Sequence, residues 1–575
     1  MAFEPAQRTG RVWLPAAGFG LFGLLVLARL VQLQVLDHPE FAAKAASEMV
    51  AADTLYARRG AILDRNGHPL ALTVDTWDVY VSARAWRNES AAVRASEALA
   101  KAIGGDAFTI RQRVREHESG DILVARDIPF EVGRELERQG IPGVTLLPNI
   151  GRAHPEGDLG ASVIGFIGAD NSGLAGIEAA LDSLLGGTPG RAIFERDSAG
   201  RPIPLGRYVA RQPVPGADVV LTIDRRLQEL AERELRNAIE EHRATGGALI
   251  IMDPNTGEIL ALASEPSFRY STLDLSREDQ LELLRNRAVT DLYEPGSVMK
   301  VITAAAALDA GVVTPNTSYV DTGVAWVAGV PIRNWDYNVY GTQTMTGVLQ
   351  HSINTGAIFM AERLGAERFH QYLDAFGFGR RTGVELQGET PGIFRRPSDP
   401  DWSPVDLATQ SFGQAISVTP LQMAVAFAAA INGGRLLEPH VVRGYVLPDG
   451  TWRPVEPKVI DQAISPQTSA TLRQMLGAVV DPGWYHPANP RYYTAGGKSG
   501  TANVPVVNGY NDRQIASFVG FAPLQNPRIL VMVKLDDNAD LQTGTQAAGP
   551  VFARVVDEAL RYLGVPPEKE PEGGR

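Results

Sequence analysis

The sequence predicts an α+β fold in which helices pack on an antiparallel sheet, preceded by a mixed α/β region and by one membrane-spanning helix. Three observations carry this. Strand-like apolar runs open and close the stretch 216–565, with helical patterning between them. A single uncharged run occupies the amino terminus. The pentapeptide Gln212-Pro213-Val214-Pro215-Gly216 interrupts periodicity between two patterned regions. At 575 residues the chain also exceeds the roughly 250 to 300 residues at which single cores stop growing, so several domains are expected.

From 12 to 36 the chain is nearly uncharged: residues 13–28 are apolar or small, and Arg29 is the one formal charge before Asp37. With Arg29 snorkelling, the run reaches the ~20 residues that a bilayer core requires. Arg8 and Arg11 precede it while Asp37 and Glu40 follow. The positive-inside rule therefore predicts a cytoplasmic tail over 1–11 and an extracytoplasmic remainder. Ala43-Lys44-Ala45 fits a small-x-small cleavage pattern, but it lies too far beyond the apolar run for a signal peptidase, so an uncleaved anchor is favoured.

The region 37–215 mixes strands and helices without a repeat. Arg58-Arg59-Gly60-Ala61-Ile62-Leu63-Asp64-Arg65-Asn66-Gly67 reads as a short strand entering an Asn-Gly turn, with an apolar strand over 69–74 to complete the hairpin. Residues 88–118 and 131–140 read as helical, and 151–168 as strand-like and punctuated by glycine.

The region 216–565 opens with a strand over 219–223 and a helix over 227–243. The runs 248–252 and 259–263 then flank Pro254-Asn255-Thr256-Gly257 as a hairpin. A helix over 297–310 stops at Gly311. Thr419-Pro420-Leu421-Gln422 supplies a cap, an N1 proline and a capping-box glutamine for a helix that ends at Asn432-Gly433-Gly434. Paired strands over 516–521 and 529–534 and a closing helix over 551–563 follow, and 566–575 reads as a flexible, solvated tail.

Composition excludes several functions. With 44% hydrophobic and 21% charged residues the chain is globular, and a net charge of -12 without a basic, aromatic-interleaved block argues against nucleic acid. The absence of cysteine rules out thiol nucleophiles and zinc-thiolate sites. The nine histidines have no close metal-ligand spacing, so His154, His351 and His486 read as structural or surface groups, and neither metal nor cofactor is expected. Lysine is scarce, at 44, 101, 300, 458, 498, 534 and 569, against 47 arginines. Because a buried lysine can lose its proton where an arginine cannot, those few positions are candidates for chemistry.

Glu294-Pro295-Gly296-Ser297-Val298-Met299-Lys300 places a serine at a helix start and a lysine one turn later on the same face. A hydroxyl becomes nucleophilic when a neutral amine takes its proton, and the free N–H groups of a helix start suit a forming oxyanion. Ser-x-x-Lys alone is weak. Two further elements decide it: Ser352-Ile353-Asn354, in a break between helical stretches, and Lys498-Ser499-Gly500-Thr501, before the carboxy-terminal strands. The three-part set with this order is that of serine β-lactamases and penicillin-binding proteins, with Ile353 and Ser499 replacing Asp and Thr.

The chain thus resembles a class B penicillin-binding protein of the cell-division type. The resemblance covers blocks at 59–71, 152–168, 173–190, 286–300, 346–354, 411–422, 498–501 and 517–523 in order. It implies a penicillin-binding transpeptidase domain over 216–565 on a pedestal, or dimerisation-type, domain over 37–215. It also implies that Ser297 forms an acyl-enzyme, that Lys300 accepts its proton, and that Ser352 with Lys498 relays a proton to the leaving group. Asn354 would hold the donor peptide's amide. Ser499 and Thr501 would take its terminal carboxylate, with Gly500 between them in the same substrate-binding segment, and the N–H groups of Ser297 and Thr501 would form the oxyanion hole. The glycines at 496, 497 and 500 are expected to let a peptide lie along the strand. Arg59, Arg152 and Glu178 match motifs that join pedestal to catalytic domain, although Ala153-His154 departs from the usual paired aromatics there.

The reaction so implied is D,D-transpeptidation of peptidoglycan stem peptides in septal wall synthesis, with β-lactams acylating the same serine. Alternatives are an elongation-type transpeptidase, a D,D-carboxypeptidase or β-lactamase using water, and a non-enzymatic β-lactam sensor, which would want more spans than one. The resemblance further implies a multi-span glycan polymerase as partner of the single span, in a bacterial cell membrane.

Overall fold

A computed structural model describes residues 10–41, 50–196, 202–506 and 509–570. Residues 1–9 of the expected cytoplasmic tail, the Ala43-Lys44-Ala45 motif and residues 571–575 lie outside the described residues. The chain forms two compact units, one of Met1–Arg58 with Gly187–Pro215 and one of Arg59–Gly186 with Gly216–Arg575.

In the first unit, Gly10–Val31 is an α-helix that runs on into a π-helical turn, Gln32–Leu36. Its apolar stretch, Trp13–Leu36, is long enough to cross a membrane, and its large side chains are exposed all round, as expected of a helix whose apolar surface is meant for lipid. The same unit holds a three-stranded antiparallel sheet of Val50–Leu55, Gly190–Arg196 and Pro202–Arg211.

The second unit has two main sheets. Seven strands form the first, in the order Trp452–Pro454, Val442–Val446, Asp218–Leu221, Ile62–Leu63, Pro69–Ser82, Asp121–Pro129, with Val144–Ala153 also paired to Pro69–Ser82. The expected hairpin is present: the Asp64 carboxylate accepts from the Asn66 and His68 N–H groups at 2.8 Å each, and Gly67 takes the left-handed φ of 85° the turn requires. The second strand runs far past the expected 69–74, because Leu72 to Val81 gain partners on Val144–Ala153 and Thr76 to Ser82 on Asp121–Pro129. The helical stretch expected over 88–118 is divided into Glu89–Ile103 and Ala107–Arg115, since Gly104 and Gly105 take φ of 80° and 92°. Strand does not continue over 151–168 either. It stops at Ala153, and left-handed glycines at 157 and 160 lead into a short helix, Ala161–Ile164.

The second sheet carries Lys498-Ser499-Gly500-Thr501 on an edge strand. Its five antiparallel strands lie in the order Ile259–Glu265, Gly246–Met252, Ile529–Asn538, Gly509–Ala522, Gly496–Val506. Both faces are buried, and side chains alternate between them: Leu530 and Met532 join one core, Ile529, Val531, Val533 and Leu535 the other. Arg225–His242 and Gly544–Tyr562 cover the second face. On the first lie Met299–Asp309, Pro420–Ile431 and Pro466–Val480. The capping box predicted at Thr419 and Gln422 is formed, and that helix is buried on every side, as its alanine-rich sequence permits. The closing helix starts at Gly544 rather than near 551, because Thr543 and Gln546 form a capping box there. Where the solvated tail was expected, Glu568 accepts from the Thr494 hydroxyl at 2.6 Å and Lys569 Nζ donates to Asn489 at 2.6 Å.

Candidate active site

Ser297 does not sit in the α-helix itself but in a 3₁₀ turn, Gly296–Val298, that leads into Met299–Asp309. Gly296 is left-handed, at φ 52°, and its N–H donates to the Gly413 carbonyl at 3.1 Å. A Cβ on Gly413 would meet Gly296 O at 2.1 Å, so only glycine lets the Ser411-Phe412-Gly413 segment back the turn at Ser297 this closely. The Glu294 carboxylate accepts from Ala415 N–H at 2.9 Å and ties the two together.

Lys300 lies one turn on, with no solvent exposure. Its Nζ is 3.0 Å from Ser297 Oγ, 2.5 Å from the Ser352 carbonyl, 2.8 Å from Asn354 Oδ1 and 3.3 Å from Ser352 Oγ. Burial, then the charge of Lys498, pushes its pKa well below the ordinary lysine value. Ser352 turns its carbonyl to Lys300 by adopting φ 57°, in the gap between the helices Met345–Gln350 and Asn354–Leu364. Asn354 Nδ2 donates to the Arg333 carbonyl at 3.0 Å.

Lys498 is buried on the edge strand, and burial lowers its pKa to about 7. Its Nζ donates to the Ser499 carbonyl at 3.1 Å. The relay implied between Ser352 and Lys498 is therefore not formed here: the Ser352 hydroxyl is near Lys300 instead, and no bond joins it to Lys498 among the described residues. Ser297, Ser352, Asn354, Lys498, Ser499 and Thr501 nonetheless line one cleft of about 920 Å³.

The glycines of the strand sit against the protein's own atoms. A Cβ at 496 would strike the Phe521 ring at 2.6 Å and one at 497 the Phe518 ring at 2.7 Å, while one at Gly500 would lie 2.5 Å from both Pro295 O and Ser517 Oγ. Glycine at these positions makes room for the protein's own core and for the turn Gly296–Val298; Gly500 is buried and does not line the cleft.

Several residues had no sequence signal strong enough to single them out. Asp321, buried, accepts from Thr355 Oγ1 at 2.6 Å, Asn334 Nδ2 at 2.9 Å and Tyr340 N–H at 2.8 Å, and so fixes the wall of the cleft beside Asn354. Thr543, Thr545 and Gln546, at the start of the closing helix, line the cleft opposite. So do His351 and His486, expected to be structural or surface groups; burial and the charge of Lys498 hold the His486 pKa below its ordinary value. His154 does prove structural: it stacks on Tyr270 at 3.6 Å between ring centroids, and burial lowers its pKa to about 4.

Arg59, Arg152 and Glu178 converge as a buried triad away from the cleft. Arg59 Nε and Arg152 Nε each donate to one Glu178 oxygen, and Arg59 Nη1 also reaches Asp182 at 2.7 Å. Arg152 Nη1 donates to the Gly60 carbonyl at 2.9 Å.

Comparison with known proteins gives this arrangement its relatives. The penicillin binding protein transpeptidase domain family matches residues 247–557, more than half of the chain, and the penicillin-binding protein dimerisation domain family matches 54–221. The chain belongs to the class B penicillin-binding proteins. Within that class it is of the cell-division type, and its transpeptidase domain makes it a serine-type, acyl-transferring peptidoglycan transpeptidase. This penicillin-binding protein is 36% identical to stage V sporulation protein D of Bacillus subtilis over 89% of its own length and 79% of that protein's. It is 31% identical to the probable peptidoglycan D,D-transpeptidase PenA of Neisseria meningitidis, over 98% and 95% of the two chains. Among solved structures, penicillin binding protein 3 of Mycobacterium tuberculosis complexed with aztreonam matches with a TM-score of 0.69 and 29% identity, over 90% of this chain and 99% of that one.

Proposed function

We propose that Ser297 is the acylated residue and Lys300 its proton acceptor in crosslinking of D-alanyl stem peptides. The observation that carries the reading is the set of partners around the buried Lys300 amine, 3.0 Å from Ser297 Oγ. A neutral amine has two N–H bonds and one lone pair. The Ser352 carbonyl and Asn354 Oδ1 accept both N–H bonds, so the lone pair is left for the serine proton.

Ser297 Oγ then bonds to the penultimate D-alanine carbonyl carbon, and its proton passes to Lys300. The C–N bond to terminal D-alanine breaks as Ser352 and the Lys498 ammonium supply a proton to the leaving amine. An amine of a neighbouring stem attacks the acyl-enzyme in turn, and Ser297 regains its proton. Asn354 holds the donor peptide's amide, Ser499 and Thr501 its carboxylate, and the N–H groups of Ser297 and Thr501 the oxyanion.

Labelling with a fluorescent penicillin tests this. Ser297→Ala is expected to lose all label while unfolding at the wild-type temperature, and a labelled variant would end the assignment. The adduct on the wild type should persist for many minutes; rapid turnover would favour the β-lactamase or carboxypeptidase alternative.

The domain boundaries read from the sequence, an N-in single-pass topology, a septal rather than elongation role and a multi-span glycan polymerase beside the anchor complete the proposal. The apolar helix Trp13–Leu36 supports the anchor. Fluorescent fusions at the side wall instead of the septum, or failure to co-purify with a glycan polymerase, would count against the last two.

A further inference from the structure

The two hydroxyls assigned above to the substrate's carboxylate are both engaged by the start of the helix Gly544–Tyr562. Thr545 Oγ1 donates to Ser499 Oγ at 2.9 Å, and Gly544 N–H donates to Thr501 Oγ1 at 3.0 Å. The approach is specific to this strand: a Cβ at 544 would meet Gly500 O at 2.2 Å and Ser517 O at 2.3 Å. Gly544 N–H is free for the contact because the first N–H groups of a helix have no partner within it.

A hydroxyl has one proton and two lone pairs. Once a lone pair of Ser499 takes the Thr545 proton, the Ser499 proton must point elsewhere, and Ser499 faces the cleft shared with Ser297. Thr501 is in the same state. Each keeps its own proton and one lone pair, so the proton is left for a ligand in the cleft instead of being spent on the helix.

We propose that Thr545 is a positioning residue that fixes Ser499 as a hydrogen-bond donor, and so makes this subsite select an anionic carboxylate over a neutral group. This rests on the carboxylate role proposed above for Ser499. Thr545 touches Ser499 and not the reacting atoms, so its removal alters ligand preference rather than the acylation step.

The test compares acylation of the intact protein by benzylpenicillin and by its methyl ester, in which the carboxylate is masked. Thr545→Val keeps the side-chain shape and removes the donor. It should slow acylation by the acid about tenfold, the effect of one hydrogen bond to a charged group, and leave the rate with the ester unchanged. Thr545→Ser should retain the wild-type ratio of acid to ester. A misfolded variant loses both rates, which Thr545→Ser controls for. Equal loss on acid and ester in Thr545→Val beside an intact Thr545→Ser, or no loss on either, overturns the proposal. Ser499→Ala separates the two levels: if it too leaves the acid-to-ester ratio unchanged, the carboxylate role of Ser499 fails; if it lowers the ratio while Thr545→Val does not, Thr545 alone is excluded.

Discussion

Lys300 Nζ lies 3.0 Å from Ser297 Oγ with no exposure to solvent, and its ordinary charge is further opposed by Lys498 in the same cleft. In the roles proposed above Lys300 works as the neutral amine and Lys498 as the ammonium, so their titrations should shape the rate in opposite senses. Acylation is then expected to rise with pH as Lys300 loses its proton and to fall above about 7 as Lys498 loses its own. In Lys498→Arg the cation never deprotonates. That variant should lose the falling limb while its maximum drops about 10- to 100-fold, since a planar guanidinium fits an ammonium site poorly. A pH profile of penicillin acylation checks this, and an unmoved falling limb would assign it to another group.

Lys498 also costs stability. An unfolded lysine titrates near 10.4, at about its reference value, whereas burial holds the folded group at about 7. Between those values the unfolded chain binds more protons, so the stability of the wild type rises with pH through that window. Lys498→Met removes the term. It should abolish acylation and stabilise the protein by roughly 2 to 4 kcal/mol at neutral pH, with the gain vanishing in strong alkali. Thermal unfolding of the intact protein in detergent at both pH values reads the difference.

Glu178 faces two buried guanidinium groups, with Arg59 and Arg152 side chains 1% and 3% exposed. Glu178→Ala leaves both cations without their main partner and should cost about 3 to 5 kcal/mol. The exposed pair Arg233 and Glu558, at 44% and 51%, is the contrast, and Arg233→Ala should change stability by less than about 1 kcal/mol. Similar losses in the two variants would mean that the triad is no more than a surface bridge.

Much of this was readable from the residues. The hairpin around Pro254-Asn255-Thr256-Gly257, the capped helix at Thr419 and the three segments that meet in the cleft each rest on local chemistry, and local chemistry is what a sequence displays. The order of the central sheet was not readable: Ile529–Asn538 lies between strands that precede it by hundreds of residues and its own hairpin partner, a choice made by two cores at once. Thr545 went unseen for a related reason. A threonine at a helix start reads as a capping residue, and only the folded chain brings Ser499 to it. The open geometry between Ser352 and Lys498 was likewise hidden, since Ser352 owes its orientation to a left-handed backbone.

The glycine at 500 distinguishes two explanations that its sequence motif could not. A Cβ there would lie 2.5 Å from Pro295 O, the carbonyl that receives Val298 N–H and closes the turn holding Ser297. A backbone oxygen cannot swing aside, so Gly500→Ala must push the edge strand or the nucleophile turn. Misplacement by about 1 Å costs on the order of 100-fold in rate, and overpacking typically costs about 1 to 3 kcal/mol in stability. Both losses are expected, and they should fall on small β-lactams as fully as on peptide substrates, because the displaced group is the nucleophile. Were the glycine instead there to admit a peptide, acylation by a small β-lactam would survive the added methyl and only peptide turnover would fall. Measuring both rates on one preparation of Gly500→Ala decides between them.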